Sequence, residues 1–288
     1  GTPMVRAAHS SGKPAYGVGP GNVPAYVDRS ADLEKAARYI IASKAFDCST
    51  ICATEQSVVV DKPVAARLRE LMIKEGAYFT TEDETERLRR LLFSPDGAMI
   101  TSTVGKPATH LARLANIPVP AGTRVLVTPL TRVGREEPLS REKLTTVLGW
   151  YEEEGWEAGC DRCISLIQFG GRGHSLVIHA TDENVIMAFG LEKPVFRIVV
   201  NTMSTLGAIG LTTGVFPSMT LGAGGVGGSI TGDNVTAYHL FNVKRLAYEL
   251  TPPPAAAFSG SAAPQSVSTD EIERVVRSVV QEILALKH

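Results

Sequence analysis

Four cysteines in two close pairs carry the chemistry that is easiest to see in this sequence. Cys52 lies in Phe46-Asp47-Cys48-Ser49-Thr50-Ile51-Cys52-Ala53-Thr54-Glu55-Gln56, between a stretch of helical period and a run of β-branched residues. Loops in such places present reactive groups, and a thiolate there can attack a carbonyl carbon. A free cysteine is also among the most buried side chains, so an inert packing role stands beside the catalytic one. The second pair, Cys160-Asp161-Arg162-Cys163, has CxxC spacing. That spacing admits thiol redox chemistry or, with Cys48 and Cys52, a four-thiolate zinc site. It sits in a helix-like stretch without a strand in front of it, so helix packing is the stronger reading and no metal is expected.

Gly222-Ala223-Gly224-Gly225-Val226-Gly227 has the spacing of a dinucleotide fingerprint. No apolar strand leads into it, and Ser229-Ile230-Thr231-Gly232-Asp233 is not the required helix start. It reads instead as a glycine-rich loop beside an active site, where missing side chains permit close approach.

The surrounding elements alternate. Pro24 to Val27 predicts a short buried strand. Ser30-Ala31-Asp32 opens a helix with Leu33, Ala36, Ile40, Ile41 and Ala45 on its buried face. Glu55 to Val60 is rich in β-branched residues and predicts a strand, and Val64 to Ile73 returns to helical period. Strand Arg124–Val127, a helix around Glu153–Ile167, strand Leu176–His179, helix Glu183–Phe189 and strand Phe196–Asn201 continue the pattern. Strands alternating with helices give an α/β fold with a mostly parallel sheet covered by helices on both faces.

The 288 residues are 44% hydrophobic, enough for a sizeable core. Lys plus Arg (29) nearly balance Asp plus Glu (30), so no broad field exists to collect nucleic acid or an anionic membrane. There is no apolar run long enough to span a bilayer and no signal-like start, and few cysteines, which together suit a reducing cytoplasm.

Taken with their neighbours, these residues resemble the CoA-acylating aldehyde dehydrogenases, which include the aldehyde domain of bifunctional aldehyde-alcohol dehydrogenases and the aldehyde enzymes of bacterial microcompartments. The similarity runs through Gly17-Val18-Gly19-Pro20-Gly21-Asn22-Val23-Pro24, Asp32-Leu33, Ser43-Lys44-Ala45-Phe46-Asp47 and Ile51-Cys52-Ala53-Thr54-Glu55-Gln56. It resumes at Arg141-Glu142-Lys143-Leu144, Gly170-Gly171-Arg172-Gly173-His174-Ser175 and Pro217 to Gly228. The resemblance implies an aldehyde dehydrogenase catalytic domain with remnants of the Rossmann-type cofactor domain. It implies that Cys52 adds to an aldehyde, that the thiohemiacetal passes its hydride to NAD, and that coenzyme A takes the acyl group from the resulting thioester. Glu142 is implied to hold the nicotinamide ribose, with Leu144, Gly222 and Gly224 at the cofactor, and His174 to carry a proton in acyl transfer. A solvated glutamate and a satisfied structural histidine are the plainer readings of those two residues.

Hydrolytic relatives carry a glutamate in the stretch corresponding to Gly17–Gly21, where it activates water. No carboxylate stands there, so a thioester protected from water can await a thiol. Cys48 stands where many relatives have asparagine and can pair with Cys52 on oxidation. The family's first Rossmann part and the side-chain donor of its oxyanion hole precede the matching segment. Gly1-Thr2-Pro3-Met4 therefore reads as the start of a fragment, expected not to bind NAD tightly or turn over alone.

From Thr251, Pro252-Pro253-Pro254-Ala255-Ala256-Ala257 and the Ser/Gly/Ala/Pro stretch to Gln265 predict a linker. Ser268-Thr269-Asp270-Glu271 reads as a capping box, followed by Ile272, Val275, Val276, Val279, Val280, Ile283 and Leu284 at helical spacing, with Lys287 near the end. This helix either docks on its own domain or on another protein. It resembles the encapsulation peptides that direct enzymes into bacterial microcompartments, which implies shell or cargo proteins as partners of residues 268–288 and the compartment lumen as location. The expected organisation is a cofactor-domain remnant (1–24), a catalytic domain (25–202), a return segment with the glycine-rich loop (203–250), a linker (251–267) and the helix (268–288). Relatives assemble as dimers or larger, so a homo-oligomer is expected. The alternatives are a hydrolytic aldehyde dehydrogenase and a non-catalytic assembly module.

Overall fold

The computed structural model describes residues 2–254 and 268–285. The chain divides into two units, Gly1–Phe241 and Asn242–His288. In the first, helix α1 (Thr2–His9) is followed by strand β1 (Val23–Val27), α2 (Leu33–Ala45), β2 (Glu55–Asp61), α3 (Lys62–Lys74), β3 (Ala77–Phe79), α4 (Glu82–Leu92) and α5 (Ala108–Leu114). Then come β4 (Val125–Pro129), β5 (Val147–Glu153), α6 (Gly155–Phe169), β6 (Leu176–His179), α7 (Glu183–Glu192), β7 (Ile198–Val200) and α8 (Ser204–Ala208). The second unit holds α9 (Thr269–Ala285).

The strands form one sheet in the order β3-β4-β5-β2-β1-β6-β7. Every pairing in it is parallel, with Val23 opposite Glu55, Ala25 opposite Val177 and Ser57 opposite Gly149. Alternation along each strand divides the core into two layers. Ala25, Val27, Val58, Val60, Val125, Val127, Leu148 and Trp150 face α2 and α3, while Tyr26, Val59, Leu126, Val147, Tyr151 and Ile178 face the helices of the other side. Both faces are covered, as the alternating pattern predicts, and each predicted strand and helix is present within a few residues of its expected place.

Six elements have no counterpart in the sequence pattern, among them α1 and the five-residue α8. β3 is too short to show alternation. α4 is dominated by charge and is set by its Thr81/Glu84 capping box rather than by a broad apolar face. α5 spans only Ala108–Leu114. β5 is buried through Tyr151, so it lacks alternation, and it contains Gly149. A Cβ on Gly149 would stand 2.7 Å from Ser57 Oγ, which explains a glycine in mid-strand.

In the second unit Ser268 Oγ accepts a bond from the Glu271 amide at 3.2 Å, one half of the expected capping box. Ile272, Val275, Val276 and Val279 are exposed on α9. Residues 255–267 of the expected linker and Lys287 lie outside the described residues. None of the described helices is long and apolar enough to cross a membrane.

Candidate active site

Parallel register brings the starts of four neighbouring strands to one edge of the sheet. In the spatial order β5-β2-β1-β6, that edge is reached by the segments carrying Glu142, Cys52, Gly21 and His174. The convergence is direct: the Gly21 amide donates to Glu142 Oε1 at 3.0 Å. A Cβ at position 21 would collide with the Cys52 carbonyl and press on the His174 ring at 3.2 Å. Glycine is required there because three functional segments meet on its backbone.

The turn bearing Cys52 is built under strain. α2 is followed by Asp47, Cys48 and Ser49, all left-handed with φ of 47°, 47° and 67°. Each such non-glycine residue costs about 1–2 kcal/mol. The reversal is held by buried polar groups. Lys44 Nζ, fully buried, donates to Ser49 Oγ at 3.0 Å and to Gln56 Oε1 at 3.2 Å. The same Gln56 oxygen accepts the Lys143 amide at 3.1 Å, while Lys143 Nζ donates to the carbonyls of Gln56, Leu139 and Arg141. Gln56 thus joins the cysteine turn to the segment that presents Glu142. Burial drives Lys44 well below the usual lysine range and Lys143 down to about 7. Glu55, also fully buried, is pushed up to about 7 by desolvation, and its Oε1 accepts the Ser204 amide at 2.9 Å.

A second turn, closed by the Thr54 amide on the Ile51 carbonyl at 2.9 Å, puts Cys52 and Ala53 at its corner. Cys52 is half-buried against Ile51, Ala53, Ala208, Leu221 and Ile209. Burial in this apolar cup, and then the Glu142 charge, push its thiol up to about 11; the amides of Cys52 and Ala53 and the Arg197 charge oppose the shift. The sequence suggests an ionisable thiol, whereas in this environment the sulfur rests protonated.

His174 is fully buried, and desolvation, followed by the Arg197 charge, holds its imidazole down to about 4. It is neutral at physiological pH. Nδ1 lies 3.1 Å from Ser175 Oγ, and Nε2 has no hydrogen-bond partner among the described residues. Glu142 is raised to about 7, mainly by burial. One of its oxygens serves Gly21, leaving the other to accept from a ligand hydroxyl.

The glycine-rich loop lies alongside. Ser229 Oγ donates to the Gly17 carbonyl at 2.7 Å, and the Gly227 carbonyl approaches Gly19. Gly222 and Gly224 donate to the carbonyls of Asp233 and Thr231 at 2.9 and 2.8 Å. A Cβ on Gly222 would strike the carbonyls of Thr231 and Asp233, and one on Gly224 would strike the Phe196 ring of the segment before β7. As expected, the loop is followed by no helix: it makes only a 3-10 turn at Gly225–Gly227. Leu144 takes a left-handed φ of 44° and its carbonyl accepts the Gly105 amide at 2.9 Å.

Sequence reasoning missed Arg197, which ties the site together. Its guanidinium donates to the His174 carbonyl at 3.0 Å, to Asn234 Oδ1 at 2.7 Å and to the carbonyls of Gly222 and Gly232 at 3.2 and 3.0 Å. The one available hint was a charged residue inside the otherwise apolar Phe196–Asn201 strand. Lys44, Gln56 and Lys143 belong to the family-like motifs, but their types and spacing disclose no role. Cys160 and Cys163 are buried on α6, away from the turn, and all four cysteines are free.

No family model matches the chain. The chain is 40% identical over 255 residues to an aldehyde-alcohol dehydrogenase of Streptococcus pneumoniae, a match covering 85% of this chain and 29% of that protein. The crystal structure of an acetylating aldehyde dehydrogenase from Geobacillus thermoglucosidasius superposes with a TM-score of 0.86 at 45% identity, over 88% of this chain and 56% of that one. A propionaldehyde dehydrogenase from the fucose utilisation bacterial microcompartment of Clostridium phytofermentans superposes with a TM-score of 0.73 at 30% identity, over 81% and 52% of the two chains. The fold is therefore that of the acylating aldehyde dehydrogenases, and the chain spans about half the length of the solved relatives and less of the curated one.

Proposed function

We propose that this chain carries the catalytic residues of an acylating aldehyde dehydrogenase, which converts a short-chain aldehyde to acyl-CoA with NAD and coenzyme A. The observation that carries the reading is the meeting of Cys52, His174 and Glu142 on the backbone of Gly21, in a protein whose sequence and fold resemble enzymes of that name.

Cys52 Sγ adds to the aldehyde carbon, with the amides of Cys52 and Ala53 favouring the charged form of the sulfur. NAD, when bound, supplies the hydride acceptor. The free oxygen of Glu142 suits a ribose hydroxyl, and the missing side chain of Gly19 leaves room for a ring to approach. His174, neutral and with Nε2 unpartnered, is placed to take the proton of the incoming CoA thiol as the thioester on Cys52 is cleaved. The absence of a carboxylate in Gly17–Gly21 favours the thiol over water as acceptor. Residues 1–24 stand as the remnant of a cofactor domain and 203–250 as a return segment with the glycine-rich loop, and a homo-oligomer fits the reading.

The acyl half-reaction tests this without NAD. Incubation with propionyl-CoA is expected to acylate Cys52, detected by mass spectrometry, with release of CoA; unacylated Cys52 would reject the reading. In the assembled enzyme, free acid formed at full rate without CoA would favour hydrolysis instead.

The exposed Ile272, Val275, Val276 and Val279 on α9 support a second role, docking on a microcompartment shell or cargo protein. The microcompartment origin of one solved relative agrees with it. Deleting 268–288 is expected to leave acyl transfer unchanged and to abolish co-purification with shells; retained co-purification would remove the targeting role and leave α9 without one.

A further inference from the structure

The CxxC of α6 has no part in the chemistry above. Cys160 and Cys163 lie on the buried side of the helix, yet Cys160 is not enclosed by hydrocarbon. Lys193 Nζ donates to Cys160 Sγ. Glu192 Oε2 stands 3.6 Å from the same sulfur, and Lys193 Nζ sits 4.4 Å from the centre of the Phe189 ring. Cys160 and Lys193 are 3% and 6% exposed, so the amine has left bulk water for a sulfur and an aromatic face. Glu192 itself is exposed, so the sulfur lies one side chain beneath the surface.

Helix geometry separates the two ways this thiol could be oxidised. Side chains three apart on a helix have Cβ atoms about 5–6 Å from each other. A disulfide requires about 3.5–4.5 Å, so Cys160 and Cys163 cannot join without distorting α6. Lys193 already touches Cys160, and it comes from a separate segment that can adjust.

We propose that Cys160 and Lys193 form a covalent sulfur–nitrogen cross-link when the protein meets hydrogen peroxide. Cys160 Sγ attacks one peroxide oxygen, the O–O bond breaks, and water leaves, giving the sulfenic acid. A water takes one proton from the Lys193 ammonium, the neutral amine attacks the sulfenic sulfur, and the S–O bond breaks. The departing hydroxide collects the second amine proton and leaves as water. One thiol, one neutral amine and one peroxide give one sulfenamide and two waters; the sulfur loses two electrons and the peroxide gains them.

The bond would staple α6 to the segment after α7. That segment holds the approach to His174, because the Gly173 amide donates to the Pro194 carbonyl at 2.7 Å and the Phe196 amide to the Gly173 carbonyl at 3.1 Å. Oxidation therefore fastens α6 to the segment that holds the approach to His174 and shields Cys160 from further oxidation.

The test is peroxide treatment of the whole chain at a few equivalents, followed by proteolysis and mass spectrometry. The expected product is a branched peptide joining residues 160 and 193, two hydrogens lighter than its parts and separated by dithiothreitol, in a protein that melts at a higher temperature until it is reduced. Lys193→Arg keeps the cation but is expected to give no branched peptide and to carry Cys160 on to sulfinic acid. Cys163→Ser is expected to retain the cross-link in full. A Cys160–Cys163 disulfide, or a sulfinic Cys160 in the unaltered chain, would overturn the proposal. Should Lys193→Arg fail to fold, loss of the branched peptide in Cys163→Ser would overturn it equally.

Discussion

Cys52 and Cys160 are the same side chain in opposite backbone settings. Cys52 stands at the corner of a turn that follows three left-handed residues, with two amides turned toward its sulfur and an apolar cup around it. Cys160 stands in the middle of a regular helix, and its sulfur meets a lysine and a glutamate rather than main-chain donors. Main-chain amides at a turn are fixed donors, suited to a sulfur that must gain charge at one moment of a reaction. Side chains beside a helix can supply a proton or form a bond, but they do not hold a substrate carbonyl over the sulfur. Spacing in the sequence does not separate these two chemistries; the backbone around each cysteine does.

The contrast can be broken most sharply by removing each sulfur. Cys52→Ala is expected to lower acyl transfer from acyl-CoA by at least about 10³-fold, as loss of a covalent nucleophile does, while Cys160→Ala stays within about twofold. Equal losses would erase the distinction. His174→Gln is expected to cost about 10²-fold, the range for a removed proton carrier, with the amount of thiol titrated by alkylation unchanged.

Next in size is a change in thiol reactivity. Because Cys52 is pushed up to about 11, its alkylation rate should climb about tenfold per pH unit until that value is reached. The Glu142 carboxylate disfavours the thiolate, so Glu142→Gln is expected to lower the thiol's pKa and speed labelling at pH 8 by about three- to tenfold, with Cys160 labelling unmoved. An unchanged Cys52 rate would show that burial alone holds the proton.

The smallest effect is on stability. Cys163→Ala should cost about 1–2 kcal/mol as a small buried truncation, whereas Lys44→Met leaves Ser49 Oγ without its donor and Gln56 Oε1 with only the Lys143 amide, and should cost about 3 kcal/mol. Denaturant titration compares the two. A harmless Lys44→Met would mean that the strained turn stands without its lysine.

Much of this arrangement is legible in the order of residues alone. The β-branched run after Cys52 and the helical period before it put the nucleophile on a connection. The poor context of Gly222–Gly227 excludes a dinucleotide helix, and the structure gives the loop only a 3-10 turn. What stays hidden depends on neighbours distant in sequence. Nothing in the types of Lys44 and Lys143 marks them as buried, yet both are fully buried, and Gln56 Oε1 accepts from both segments. Arg197 faces a loop that returns 37 residues later, at Asn234. β5 escapes notice because burial on both faces removes the alternation by which a strand announces itself.

Ligands of open α/β sheets usually gather where strands end. Here the candidate groups gather where strands begin, and neighbouring strands in a sheet are spaced by about 4.8 Å. The sheet therefore acts as a ruler laid along the floor of the cleft, its marks set by main-chain hydrogen bonding and indifferent to side-chain substitution. Four adjacent marks span roughly 14 Å by the same spacing, enough for a sulfur, a base and a carboxylate to hold station while loops above are exchanged. Changes in the aldehyde accepted should then arise in the covering segments, with the distances between the reacting groups left as they are.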